Sequence, residues 1–158
     1  MNWQELCADP ALQNLPYKME LNQQGQIIMS PASVRHVLFQ ANIIALLNNI
    51  FPDLIAVPEF PVETSDGVKV VDVGLLTAEQ AAVLKNNVTA SFAPLLCVEV
   101  LSPSNTLAEM NHKKELYFDK GAEEFWLCDA QGTMTFYNKK GELSNSELAD
   151  QFPAALDL

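Results

Sequence analysis

Two strand-length runs constrain this chain most. Residues 68–76 (VKVVDVGLL) hold a single acid, Asp72, and residues 94–101 (PLLCVEVL) hold a single acid, Glu99. Side chains alternate between the two faces of a strand. A run that is apolar on both faces therefore suits a strand covered on both sides. A carboxylate inside such a strand is costly to bury unless a cation or hydrogen-bond donors meet it. The two runs thus predict a sheet between helices, with two acids that need positive partners.

The rest of the chain supplies the covering elements. Residues 19–22 and 26–30 flank Gly25 and read as a hairpin. Residues 33–50 follow a Pro-Ala-Ser start, and Val34, Val37, Leu38, Ala41, Ile44, Ala45 and Leu47 recur at helical spacing. This stretch carries no acid, which predicts a well-covered helix; Asn48-Asn49 and Pro52 mark its end. Residues 54–64 contain Pro58 and Pro61, so they make at best an edge strand. Ser65-Asp66-Gly67 is a turn. Residues 77–85 read as a helix with a Thr77/Gln80 capping box. The loop 102–105 leads to a helix capped by Thr106 and Glu109 that ends near Lys120 at Gly121. Residues 123–128 and 133–138 read as a hairpin around Gln131-Gly132. The expected fold class is α/β (α+β): a mixed β-sheet core flanked by helices. With 158 residues, one domain spanning 1–158 is expected, with a lead-in over 1–17 and a polar tail over 141–158.

Composition narrows the class. Hydrophobic residues make up 49% and charged residues 18%, a balance that supports a packed core. Cys7, Cys97 and Cys128 have no metal-type spacing and fit a reducing, cytoplasmic setting. The first ten residues carry acids and no basic start, so no secretory signal is read there. The longest apolar run, 43–47, is too short to span a bilayer. The net charge of −11 and single arginine weigh against avid binding to nucleic acid, which relies on Lys and Arg. They do not exclude a metal site, which is itself acidic.

If the two acidic strands are neighbours, Asp72 and Glu99 meet at one point of the sheet. Two carboxylates and a backbone carbonyl suit Mg²⁺, with Mn²⁺ as a substitute. A bound ion would activate water and offset charge on a phosphate. Lys113 and Lys114, on the helix after the Glu99 strand, are the candidate amines. The plain alternative is that each acid is solvated at a strand end or paired with a buried lysine. Other residues take structural readings: His36 as a packing or capping residue, Trp126 as core, and His112 and Lys114 as exposed. Tyr117 shares a helix face with Lys113 and reads as packing with a polar tip. Lys139-Lys140 reads as a solvated turn.

The run from Cys97 to Asn105, then Glu109-Met110, Lys113, Tyr117, Gly121-Ala122 and Glu124-Phe125-Trp126, resembles the Uma-type restriction endonuclease family. Glu20, Gly25, Met29-Ser30-Pro31, His36 and the Val70-Val71-Asp72-Val73 run extend the likeness over residues 18–138. The resemblance implies the fold of the PD-(D/E)XK nuclease superfamily and a magnesium-dependent endonuclease that hydrolyses DNA, often as a homodimer. It implies metal ligation by Asp72, Glu99 and the Val100 carbonyl. Leu101 stands where the motif's lysine would be, and Lys113 matches a lysine moved to the following helix. Glu20 matches an N-terminal acid that completes the site. Val71 replaces the usual proline before Asp72. Pro52-Asp53 resembles the motif by letters but lies one strand too early. A nuclease-fold binding or regulatory module that no longer cuts is the alternative, and a plain interaction domain with structural acids is the third.

Overall fold

A computed structural model describes residues 1–158. The elements in chain order are α1 (Trp3–Ala8), a 3-10 turn (Pro10–Leu12), β1 (Tyr17–Leu21), β2 (Ile27–Pro31), α2 (Val34–Ile50), β3 (Ile55–Thr64) and β4 (Gly67–Leu76). They continue with α3 (Ala78–Leu84), β5 (Leu96–Val100), α4 (Leu107–Asp119), β6 (Glu124–Cys128), β7 (Met134–Asn138) and β8 (Gly141–Leu143). Six strands form one mixed sheet in the order β3-β4-β5-β6-β7-β8, and β1 and β2 form a separate antiparallel ribbon. Only β5 and β6 run parallel, and parallel neighbours need a crossover connection between them. Here the crossover helix is α4.

Helices cover both faces of the sheet, as the two apolar runs require. On one face Phe39, Ile43 and Leu47 of α2 pack against Val73, Leu75, Leu96, Val98 and Trp126. On the other, Met110, Tyr117 and Phe118 of α4 pack against Cys97 and Phe125. All five residues of β5 are buried. The proline-bearing β3 lies at the sheet edge, where a missing ladder donor costs least.

Two sequence expectations change. The buried face of α2 is Phe39, Gln40, Ile43 and Leu47, whereas Val37 and Leu38 are exposed and Val34 is 77% exposed. The helix is apolar nearly all round, so the spacing alone does not say which stripe faces inward. Its polar residues His36 and Gln40 point inward because the sheet offers them carboxylates and a carbonyl. The C-terminal segment, read as a polar tail, also contributes to the core. It forms β8, and Ala149, Phe152 and Leu156 are buried in the α2-side core. Phe152 lies 4.5 Å from the Trp126 ring centroid.

Local signals set the helix ends. The Thr77/Gln80 capping box forms in both directions. At α4 only half of the expected box forms: Thr106 accepts from the Glu109 amide, while the Glu109 carboxylate accepts from Asn105.

The β1–β2 ribbon docks on β4, and the docking positions the candidate site. Leu6, Leu21 and Val68 form a small core there. The Gln23 amide donates to Asp66 Oδ1 at 3.0 Å. Gly67, at φ +74, lets the ribbon backbone come close: a Cβ there would clash with the Leu21 carbonyl oxygen and with the Asn22 backbone. Gly67→Ala combines left-handed backbone strain with this clash. It is expected to lower stability by about 2 kcal/mol or more in denaturant melts. A change under a few tenths would show that the ribbon does not depend on this approach.

Candidate active site

The site begins where β4 and β5 part. Their antiparallel ladder pairs Leu75 with Leu96, Gly74 with Cys97 and Val73 with Val98, and then stops. The next opposed residues are Asp72 and Glu99, so the two acids stand at the mouth of the fork. The β3–β4 ladder also skips this level. Pro58 pairs with Val73 and Phe60 with Val71, but Glu59, opposite Asp72, does not pair. Glu59 takes a left-handed backbone conformation, φ +51, which is strained for a residue with a side chain.

Opening a ladder frees backbone groups that must find other partners. Carboxylates supply them here. Asp72 Oδ2 accepts from the Val100 amide at 2.8 Å. Glu20 Oε2 accepts from the Val70 amide at 2.7 Å. Gln40 Nε2 donates to the Asp72 carbonyl at 2.9 Å and to Glu59 Oε1 at 2.8 Å. No buried side-chain polar atom lacks a partner.

Two lysines close the fork from outside the sheet. Lys18 of β1 places Nζ 2.8 Å from Asp72 Oδ1 and 3.6 Å from Glu99 Oε2. Lys113 of α4 places Nζ 2.9 Å from Glu20 Oε2 and 3.6 Å from Glu99 Oε1. The Tyr117 hydroxyl, one turn along α4, donates to Glu99 Oε1 at 2.6 Å. His36 Nε2 lies 3.4 Å from Asp72 Oδ1. Asp72 and Glu99 are each 1% exposed.

Three carboxyl groups (Glu20, Asp72, Glu99) thus face two ammoniums, enough to offset two of them as carboxylates and not the third. The acids respond differently. Burial opposes the charge on Asp72, but Lys18 and His36 outweigh it and hold its carboxyl far below the usual range. Glu20 is likewise lowered against its burial, by Lys113, Lys18 and the Val70 amide. Glu99 goes the other way. Burial and the charge on Asp72 exceed the pull of Lys113 and Lys18, and its carboxyl is pushed up to about 8. Burial raises the Tyr117 hydroxyl too, with the Glu99 charge adding to it.

A cavity of ≈ 360 Å³ opens over the fork and is lined by Lys18, Glu20, His36, Asp72, Glu99 and Lys113 among others. On one side of it His36, Glu59 and Asp72 each present a ligand atom within 4.8 Å of the others, a spacing that could hold a metal ion.

The family model described as "Uma2: Putative restriction endonuclease" matches residues 3–156. The chain belongs to this family. It is also similar to a solved structure described as a putative nuclease belonging to DUF820, from Anabaena variabilis. That similarity has a TM-score of 0.75 at 18% identity and covers 97% of this chain and 88% of the other. The fold of this Uma2-family chain is therefore that of the nuclease-like structure. No curated protein matches the chain.

Of the residues singled out from the sequence, Asp72, Glu99, Lys113 and Glu20 converge on the fork. Val100 is there as well, with its amide bound to Asp72. His36, read as packing or capping, instead reaches Asp72. Lys114 is not an exposed substitute for Lys113: it lies 4.5 Å from the Tyr137 ring centroid. His112 is exposed, but is bound to Asp66 at 2.8 Å. Lys139 and Lys140 are exposed at the β7–β8 turn. Lys18, Gln40 and Glu59 went unpredicted. Lys18 had one available signal, since residues two apart on a strand share a face and Glu20 was already a candidate.

The raised Glu99 carboxyl has a stability consequence. Above its ordinary value of 4.5 the unfolded chain has lost this proton while the folded chain keeps it up to about 8. Folding then takes up a proton, so stability falls as pH rises through this window. The lowered Asp72 and Glu20 act in the opposite direction and lose their contribution only as pH falls below the ordinary carboxylate range. In metal-free buffer, wild type is expected to lose stability relative to Glu99→Gln between about pH 5 and 8, with a slope of up to about 1.4 kcal/mol per pH unit. A difference that stays flat in denaturant melts would mean that Glu99 is ionised throughout.

Proposed function

We propose that this chain is an endonuclease that hydrolyses DNA phosphodiester bonds in a Mg²⁺- or Mn²⁺-dependent reaction, with Asp72, Glu99, Lys113 and Glu20 as its working groups. The observation that supports this reading is the fork itself. Two strand-borne acids oppose each other where the ladder opens, and a helix-borne lysine lies 3.6 Å from one of them. Membership of the family described as "Putative restriction endonuclease" points the same way.

The residues fit a hard divalent cation. Asp72, Glu99 and the Val100 carbonyl would ligate it through oxygen, with Glu99 giving up its proton to do so. Glu59 and His36 extend the donor set on the other side of Asp72. Such an ion supplies an acidified water and offsets charge on the phosphate. The chain does the rest. Lys113 presents an ammonium where negative charge would develop on the phosphate or attacking oxygen. Glu20, anchored by the Val70 amide, fixes the Lys113 ammonium. Tyr117 clamps Glu99 through one oxygen and leaves the other turned toward Lys18. A homodimer would bring one such site to each strand of a duplex.

A second reading is a nuclease-fold binding or regulatory module without cleavage. Lys18 favours it, because its ammonium already offsets the two acids. The low basic content favours it too. Nicking of supercoiled plasmid with Mg²⁺ or Mn²⁺ separates the readings. Wild type is expected to nick DNA only with a divalent ion. Asp72→Asn and Glu99→Gln, checked for folding by circular dichroism, are expected to lose at least about a hundredfold in rate, and Lys113→Met a similar amount. DNA binding without any nicking would support the module; nicking that survives Asp72→Asn in a folded protein would remove this site from the reaction.

A further inference from the structure

We propose that Lys18 is a resident cation that the divalent ion must displace, so that metal entry drives the Lys18 side chain out of the fork. This rests on the reading of the fork as a metal site, and goes beyond it in naming what occupies that site beforehand and what sets its affinity.

The contacts argue for it. Lys18 Nζ touches one oxygen of each acid, Asp72 Oδ1 at 2.8 Å and Glu99 Oε2 at 3.6 Å. Asp72 Oδ2 is held by the Val100 amide and Glu99 Oε1 by the Tyr117 hydroxyl, so these are the two oxygens the acids would have left to offer a divalent ion. An ammonium and a divalent ion cannot share them, because like charges at contact repel strongly where little water intervenes. Lys18 has no other side-chain partner to keep it in place. Lys113 differs. Its closest contact is Glu20 at 2.9 Å, an acid outside the Asp72–Glu99 pair that is itself held by the Val70 amide. Lys113 can therefore stay when the ion arrives.

An exit route exists. The Lys18 side chain is 14% exposed and lines the cavity over the fork. Its flexible four-carbon stem can turn outward without moving β1, whose register with β2 is set by backbone pairing between Lys18 and Ser30. The apparent metal affinity is then the intrinsic affinity reduced by the fraction of time Lys18 is away. Lys18 would set a concentration threshold for the ion.

Two measurements on the full chain test this. In the first, Mn²⁺ is titrated calorimetrically into wild type and Lys18→Met, and the variant is expected to bind roughly tenfold tighter or more. In the second, an amine-acylating reagent is applied to wild type with and without saturating Mg²⁺, and modification is read by peptide mass spectrometry. Lys18 is expected to be protected without the ion and to react several-fold faster with it, relative to the exposed Lys139. If Lys18→Met fails to fold, the labelling alone decides. Tighter Mn²⁺ binding with Lys18 still protected reflects removal of charge alone and overturns displacement. Equal Mn²⁺ affinity with Lys18 protected also overturns it, since the ion then binds without displacing the lysine; whether the nuclease reading stands is decided separately, by whether Asp72→Asn abolishes nicking. No divalent binding to either protein overturns both.

Discussion

The rest of the molecule is arranged around the parting of β4 from β5. A closed antiparallel ladder would satisfy its own amides and leave no room between strands. The parted ladder leaves amides at Val70 and Val100 that carboxylates must answer, and Glu20 and Asp72 do so. Those carboxylates are then fixed in place and buried, and buried charge requires compensation. Lys18 arrives from the docked ribbon and Lys113 from the crossover helix. The site thus follows from a backbone accounting problem at one level of the sheet, with Gln40 and the left-handed Glu59 completing it on the β3 side.

Such a network is a poor source of stability. Desolvating several charges can cost as much as their attraction returns, whereas removing one member leaves the others uncompensated. Stability comes from the two apolar layers on either side of the sheet. The network's contribution is geometric: it fixes two acids side by side, with Lys18 against both and Lys113 against Glu99. The third carboxyl group, Glu99, holds a proton in place of a cation, and a divalent ion would have to take the place of that proton.

Much of this was legible in the sequence because burial leaves a clear mark on strands. The apolar runs around Asp72 and Glu99 read directly as covered strands with costly acids, the helix after the Glu99 strand offered Lys113 and Lys114, and the family likeness singled out Lys113 and added Glu20. The face of α2 was not legible. A helix apolar on most of its surface carries no unambiguous stripe, so Phe39 and Gln40 were passed over for exposed Val37 and Leu38. The C-terminal segment looked polar because its few buried residues, Ala149, Phe152 and Leu156, are spaced by turns and not by any regular period. Lys18 and Glu59 were missed because their roles depend on how a separate ribbon and an edge strand dock. Contacts of that kind, 54 residues apart for Lys18 and Asp72, leave no local pattern.

The central claim is that the fork between β4 and β5 holds a divalent cation between its two acids. A crystal structure of the wild-type protein soaked in Mn²⁺, with anomalous scattering collected at the manganese edge, tests it most directly. The account predicts one anomalous peak bonded to an oxygen of Asp72 and an oxygen of Glu99. A peak held by His36 and Glu59 without Glu99, or a fork with both acids still bound to lysine and no manganese, would contradict it.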